Sequence, residues 1–168
     1  MVIPLLLLSG VTLYPERERQ SHIVIPVELK EQIKKDTKNM TVKDIIKYSK
    51  RQTKRLLWFS PISELGETID INRVTGTHCV GYATVLNAIC NYALMVNHKK
   101  AKCYHVVGTV KVYGIDLCKV VSSMFRSVGF TIGYNFTKDH DFCKIRSGDK
   151  NIYADASLPF LCWNGKTM

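Results

Sequence analysis

The chain has 168 residues, 46% hydrophobic and 23% charged, an ordinary globular composition long enough for one domain with a substantial core. Its formal net charge of +10 suits an acidic partner, nucleic acid or an anionic surface, without specifying a fold or a reaction. Six cysteines at irregular spacing, with no C-x-x-C pair, are too sparse for a disulfide scaffold.

Residues 1–14 form an apolar run, shorter than the roughly 20 residues a bilayer-spanning helix needs. It reads equally as a truncated secretory signal, which would mean export, or as the first core strand of a cytoplasmic protein. No Lys or Arg precedes it, and no clear small-x-small cleavage site follows. Residues 15–168 are expected to form a single domain, with a helical part at about 27–58 and a core at about 70–160. The stretch 16–55 is polar and basic, punctuated by Pro26, with helical spacing over 27–38 and 41–57. Thr41 suits an N-cap, Asp44 the first turn, and Val42, Ile45, Ile46 and Leu56 a buried side. Lys43, Lys47, Lys50, Arg51, Lys54 and Arg55 then share the other side, which reads as a solvated face before it reads as a grip on phosphates or an anionic membrane. No aromatic platform is interleaved with them, which disfavours single-strand nucleic-acid binding.

Leu56, Leu57, Trp58 and Phe59 form an apolar cluster expected to pack on the core, and residues 62–77 a loop leading to Cys79. From Cys79 to Val96 the chain is apolar nearly all round, with Thr84, Asn87 and Asn91 as polar exceptions, and this predicts a central buried helix. Cys79 falls in its first turn, where unpaired backbone N–H groups lower a thiol pKa. A small core cysteine is the plainer reading of the same position. Residues 103–113 are rich in β-branched and aromatic residues and predict a strand behind the helix. Asp116 suits the cap of a short helix over 117–127, with Val121, Phe125 and Val128 facing in and Gly129 ending it. Residues 130–136 read as a strand or as a loop over a cleft.

Two strand-like runs follow, one headed by His140 and the next ending at Asp155, joined by a turn at Gly148 and Asp149. An even loop centred on those two residues sets Phe142 opposite Asp155, with His140 one diagonal step away on the same face. The imidazole then lies beside a carboxylate that can fix its tautomer, leaving the other ring nitrogen for a thiol.

Cysteine in a G-x-x-C-x-G-Y-A setting opening a helix, a strand with His followed by an aromatic, and a strand ending in aromatic-x-Asp resemble the transglutaminase-like branch of the papain-type superfamily. The resemblance covers residues 70–160, with Phe142 where many relatives carry Trp. It implies an α+β papain-like fold, a central helix on an antiparallel sheet with basic helices at the N-terminal side. It also implies Cys79 as nucleophile, His140 as base, Asp155 as its orienter, and thiol-dependent amide hydrolysis or acyl transfer on a protein or peptide substrate. By the same likeness residues 58–76 border the substrate cleft. No cofactor is expected, and membrane and nucleic-acid partners are disfavoured.

Rival assignments are weaker. His78 adjoins Cys79, but neighbours at a helix start point apart. His105 shares a strand face with Cys103 and reads as structural packing. Cys103 with His105, or His140 with Cys143, is half of a zinc site without the paired ligands that would complete it. A domain that keeps this fold without the chemistry would be a binding module for protein or glycan.

Overall fold

The structure, a computed structural model, describes residues 11–21, 23–60, 75–127 and 139–158. The readings that fall on residues 1–10, on the 61–74 loop, on Val128 and Gly129 and on the 130–136 segment lie outside the described residues, as do the side chains of Val121 and Phe125.

The fold is α+β, an antiparallel sheet with a helix packed on it. Four strands run in the order β1 (Val11–Glu18), β4 (Ala101–Val112), β6 (His140–Ser147) and β7 (Lys150–Ala154), and the two-residue β5 (Ile115–Asp116) turns back on the end of β4. The β4–β5 turn uses Tyr113 and Gly114, both at positive φ (51° and 80°), the conformation that a tight hairpin with right-twisted strands requires. The expected strand therefore stops at Val112, and Tyr113 belongs to the turn.

β1 accords, over residues 11–14, with the first-strand reading of the N-terminal run, but its continuation to Glu18 was not legible in the sequence. It carries Pro15 and a run of charges, and both are tolerated because among the described residues it is the edge strand of the sheet. Its register on β4 shifts between Pro15 and Arg17, a bulge that leaves Glu16 without a partner in the ladder. The backbones approach closely there: a Cβ on Gly108 would lie 2.0 Å from the Tyr14 carbonyl oxygen. The apolar reading of residues 1–14 thus runs into a strand that continues to Glu18, with Leu13 packed on Val106, Phe142 and Tyr153.

Helices α1 (Val27–Asp36) and α2 (Val42–Leu56) form as their spacing predicts. Thr41 caps α2, accepting from the Asp44 N–H at 3.2 Å and donating its hydroxyl proton to Asp44 Oδ2 at 2.6 Å. Ile45, Ile46 and Tyr48 are buried on the inner side, while Lys43, Lys47, Arg51, Lys54 and Arg55 are exposed, a solvated face. Of the apolar cluster that follows, only Leu57 is buried; Trp58 and Phe59 are 57% and 45% exposed. The reason is β2 (Leu57–Phe59), which pairs in parallel with β3 (Thr75–Thr77) inside the stretch expected to be all loop. The Trp58 ring lies on Gly76, where a Cβ would come within 2.4 Å of it.

Helix α3 (Cys79–Val96) is the centre of the core. Val85, Leu86, Ile89, Ala93 and Leu94 are at most 1% exposed, packed among α1, α2 and the sheet face that carries Cys103, Cys143 and Ile145. Full burial of such a side chain contributes about 1.5–3 kcal/mol. Its 18 residues are long and apolar enough to cross a membrane by length and composition, and 67% of them are buried within this fold. The polar exceptions have partners. Asn87 and Asn91 both donate to the Cys103 carbonyl at 2.9 Å, and Asn91 accepts the Cys103 N–H at 2.9 Å, which ties the helix to β4. Beyond β5, Asp116 accepts from the Lys119 N–H at 3.2 Å at the start of α4 (Leu117–Ser127), the cap the sequence predicts.

Candidate active site

β6 and β7 meet in the register Ser147↔Lys150 to Cys143↔Ala154, around the two-residue turn Gly148–Asp149 with Gly148 at φ 60°. Carried one step on, this register sets Phe142 opposite Asp155, the parity that the turn chemistry predicts. His140 is diagonal to Asp155, and its Nε2 lies 2.5 Å from Asp155 Oδ2. The other carboxylate oxygen is held from behind: Asp155 Oδ1 accepts from the Ser157 N–H at 2.7 Å and the Ser157 hydroxyl at 2.8 Å. The carboxylate is fully occupied and 3% exposed, and the His140 ring also stacks on Phe142 at 6.2 Å between centroids. With Nε2 committed to Asp155, Nδ1 is the ring nitrogen left for a third group.

That group is Cys79. The N-terminus of α3 abuts the start of β6, and Cys79 and His140 line one cleft close enough for each to shift the other's pKa. Burial pushes the Cys79 thiol up, but hydrogen bonds from His140 and His78 and the charge of His140 outweigh it and bring the thiol down to about 7. Burial disfavours the charged form of His140, yet the Asp155 carboxylate and the thiol hold its pKa well above the usual imidazole range. Burial likewise pushes Asp155 up, and the His140 charge and the Ser157 hydrogen bonds bring it below the usual carboxylate value. The shifts are linked: His140 is a cause of the lowering at both Cys79 and Asp155, and they in turn are causes of the raising at His140. The structure thus brings Cys79, His140 and Asp155 together.

A second pair joins Asp141 on β6 to His105 on β4, a histidine that the sequence offered only as structural packing. Asp141, next to His140, projects to the opposite face of the strand, where β4 sets Val107 against Asp141 and His105 against Cys143. His105 is therefore diagonal to Asp141, and its Nε2 lies 2.7 Å from Asp141 Oδ1. Arg19, just beyond β1, brings its Nε to 2.9 Å from the same oxygen and donates its backbone N–H to the His105 carbonyl at 2.9 Å. Among the described residues His105 Nδ1 has no hydrogen-bond partner, so the proton belongs on Nε2, where Asp141 accepts it. Asp141 Oδ2 lies 4.0 Å from the Cys79 sulfur and can accept the thiol proton. Consecutive residues of one strand thus reach the same thiol, His140 from the Asp155 side and Asp141 from the His105 side. Local sequence could not show this, because the β4–β6 pairing spans a long connection with no turn signal.

His78 caps α3, its Nδ1 accepting from the Val80 N–H at 3.4 Å, and also hydrogen-bonds the thiol. His105 reaches the thiol only through Asp141. Cys103 and Cys143 are buried under α3, with Cys143 donating to the Ala83 carbonyl at 3.3 Å. Among the described residues no group of three or more His, Cys, Asp or Glu side chains is placed to hold a metal ion. A narrow cleft of about 60 Å³ opens beside the sulfur, with Cys79 and His140 on one side and Phe59, Leu117, Cys118 and Leu158 around it. Phe59 supplies the wall expected of the segment before the cysteine; Trp58 packs away from it on Gly76. No family model, curated protein or solved structure matches the chain.

Proposed function

We propose that this chain is a transglutaminase-like domain of papain type that cleaves or transfers acyl groups at an amide carbon through Cys79, His140 and Asp155. The observation that carries the reading is the buried His140 ring, bonded to Asp155 through one nitrogen and lining one cleft with Cys79 at the start of an apolar helix. In the proposed cycle the Cys79 thiolate attacks the carbonyl carbon. Backbone N–H groups at the start of α3 stabilise the oxyanion, and His140 gives its proton to the leaving amine. The acyl-enzyme then passes to water, as in a peptidase or amidase, or to an amine, as in a transglutaminase. Asp155, gripped by Ser157, orients the ring and supports its positive charge. The largely apolar walls from Phe59, Leu117 and Leu158 favour an apolar group next to the scissile bond of a protein or peptide substrate.

The test is casein or a peptide mixture incubated with and without a fluorescent alkylamine, following free amine release and amine incorporation. The wild type should turn over, and Cys79→Ala should not. A wild type without turnover, whose iodoacetamide labelling titrates near the ordinary thiol value of about 8.5 and is unmoved by His140→Ala, would overturn the proposal. A binding module would then replace it.

A further inference from the structure

The cleft beside His140 has a second thiol in its wall. Cys118, in the first turn of α4, lines the same narrow space of about 60 Å³ as Cys79. It lies within electrostatic reach of both Cys79 and His140 and is half-buried. The two residues line one cavity from two different helices. The other described cysteines are differently placed: Cys90 on α3 and Cys103 and Cys143 on the sheet are at most 2% exposed and do not line the cleft. All five described cysteines are thiols and not disulfides.

We propose that Cys79 and Cys118 form a reversible two-electron redox pair, in which a peroxide oxidises Cys79 and Cys118 captures it as a disulfide that closes the cleft. The division of labour follows from the two surroundings. Cys79 stands at a helix start against an imidazole, so it holds the thiolate that a peroxide meets first. Cys118 is kept as a thiol by its burial. In the first step the Cys79 thiolate attacks one peroxide oxygen; the S–O bond forms, the O–O bond breaks, and the departing hydroxide takes a proton to become water. The sulfur is oxidised by two electrons and the peroxide is reduced. In the second step the Cys118 sulfur attacks the Cys79 sulfenic acid; the S–S bond forms, the S–O bond breaks, and the Cys118 proton leaves with the hydroxyl as water. A dithiol reverses the state by exchange, supplying two electrons and two protons. A disulfide needs Cβ atoms about 4 Å apart, and the two thiols start from the wall of one small cleft. The consequence is protection: a nucleophile that would otherwise proceed irreversibly to sulfinic acid is held in a recoverable form.

The experiment treats the full chain with one equivalent of hydrogen peroxide, blocks remaining thiols with N-ethylmaleimide, and maps disulfides by non-reducing peptide mass spectrometry. The wild type should give a peptide joining Cys79 to Cys118, lose Cys79 labelling, and recover it with dithiothreitol. Cys118→Ser should give no such link, about tenfold more dimedone-trapped sulfenic acid at Cys79, and sulfinic acid that dithiothreitol does not reverse. Cys118→Ala serves as the second variant, and its unchanged melting temperature shows that the loss of the link is chemical. A Cys79 sulfenic acid that persists in the wild type, a link from Cys79 to any other cysteine, or a Cys79 inert to peroxide would overturn the proposal. The readout is independent of acyl chemistry: a protein that forms the link without amide turnover keeps this inference and loses the proposed function.

Discussion

At Cys79 two opposed influences meet, a burial that disfavours charge and hydrogen bonds from His140 and His78 that favour it, and the bonds prevail. Labelling by iodoacetamide should therefore titrate with a midpoint of about 7. His140→Ala removes the largest stabilising contact, so the midpoint should move up toward the ordinary value and labelling at pH 7 should fall by about an order of magnitude. Asp155→Asn should give a smaller loss, because both reacting groups stay in place. Asp141 acts with the opposite sign. Its charge pushes the Cys79 thiol up, so Asp141→Asn should lower the labelling midpoint and Arg19→Ala, which uncovers that charge, should raise it. Matched pH profiles of the two variants check this; shifts of the same sign in both would refute the electrostatic account. Acid stability belongs here too. Asp155 has a folded pKa below its unfolded value, so its contribution is complete above about pH 4 and is lost as pH falls through the folded value. Asp155→Asn should flatten the acid limb of a stability–pH curve, measured by urea unfolding between pH 2 and 6.

Elements carry these groups to the site, and each has a local weak point. The parallel pair of β2 and β3 leads directly into α3, and it depends on Gly76 because the Trp58 ring occupies the space of a side chain. Gly76→Ala should push the exposed ring aside at a cost of about 1 kcal/mol. Cys79 labelling should slow as the entry to α3 shifts, while Trp58→Ala in the same background restores it. At the far side of the fold, Thr41→Ala should remove the α2 cap and cost about 1 kcal/mol in urea unfolding without moving the labelling midpoint. The two substitutions separate elements that aim the site from elements that only support the core. The β6–β7 hairpin shows how much a turn can specify: its two-residue loop at Gly148–Asp149 sets the register that brings His140 onto Asp155.

For the whole molecule, the first strand decides whether the N-terminal segment is dispensable. β1 covers one edge of β4 and packs Leu13 on the Phe142 cluster that also backs His140. Removing residues 1–18 should cost about 2 kcal/mol or more and lower the melting temperature by several degrees in calorimetry; an unchanged value would mean that β1 is only an adherent edge. The sequence by itself determined the elements whose signals are local: the apolar run of α3 with Cys79 at its start, the Thr41 and Asp116 caps, the α2 faces, and the hairpin parity that pairs His140 with Asp155. Each depends on periodicity or on turn chemistry within a few residues. The tertiary structure alone decided the rest. The second half of β1 is disguised by Pro15 and its charges, since an edge strand obeys no alternation that burial would impose. The exposure of Trp58 depends on β3, a partner distant in sequence. Asp141, Arg19, His105 and Cys118 come to Cys79 from four separate stretches of chain. Their meeting rests on the β1–β4–β6 register and on where α3 and α4 end against the sheet, and long-range pairing of that kind leaves no periodic mark in the residues that make it.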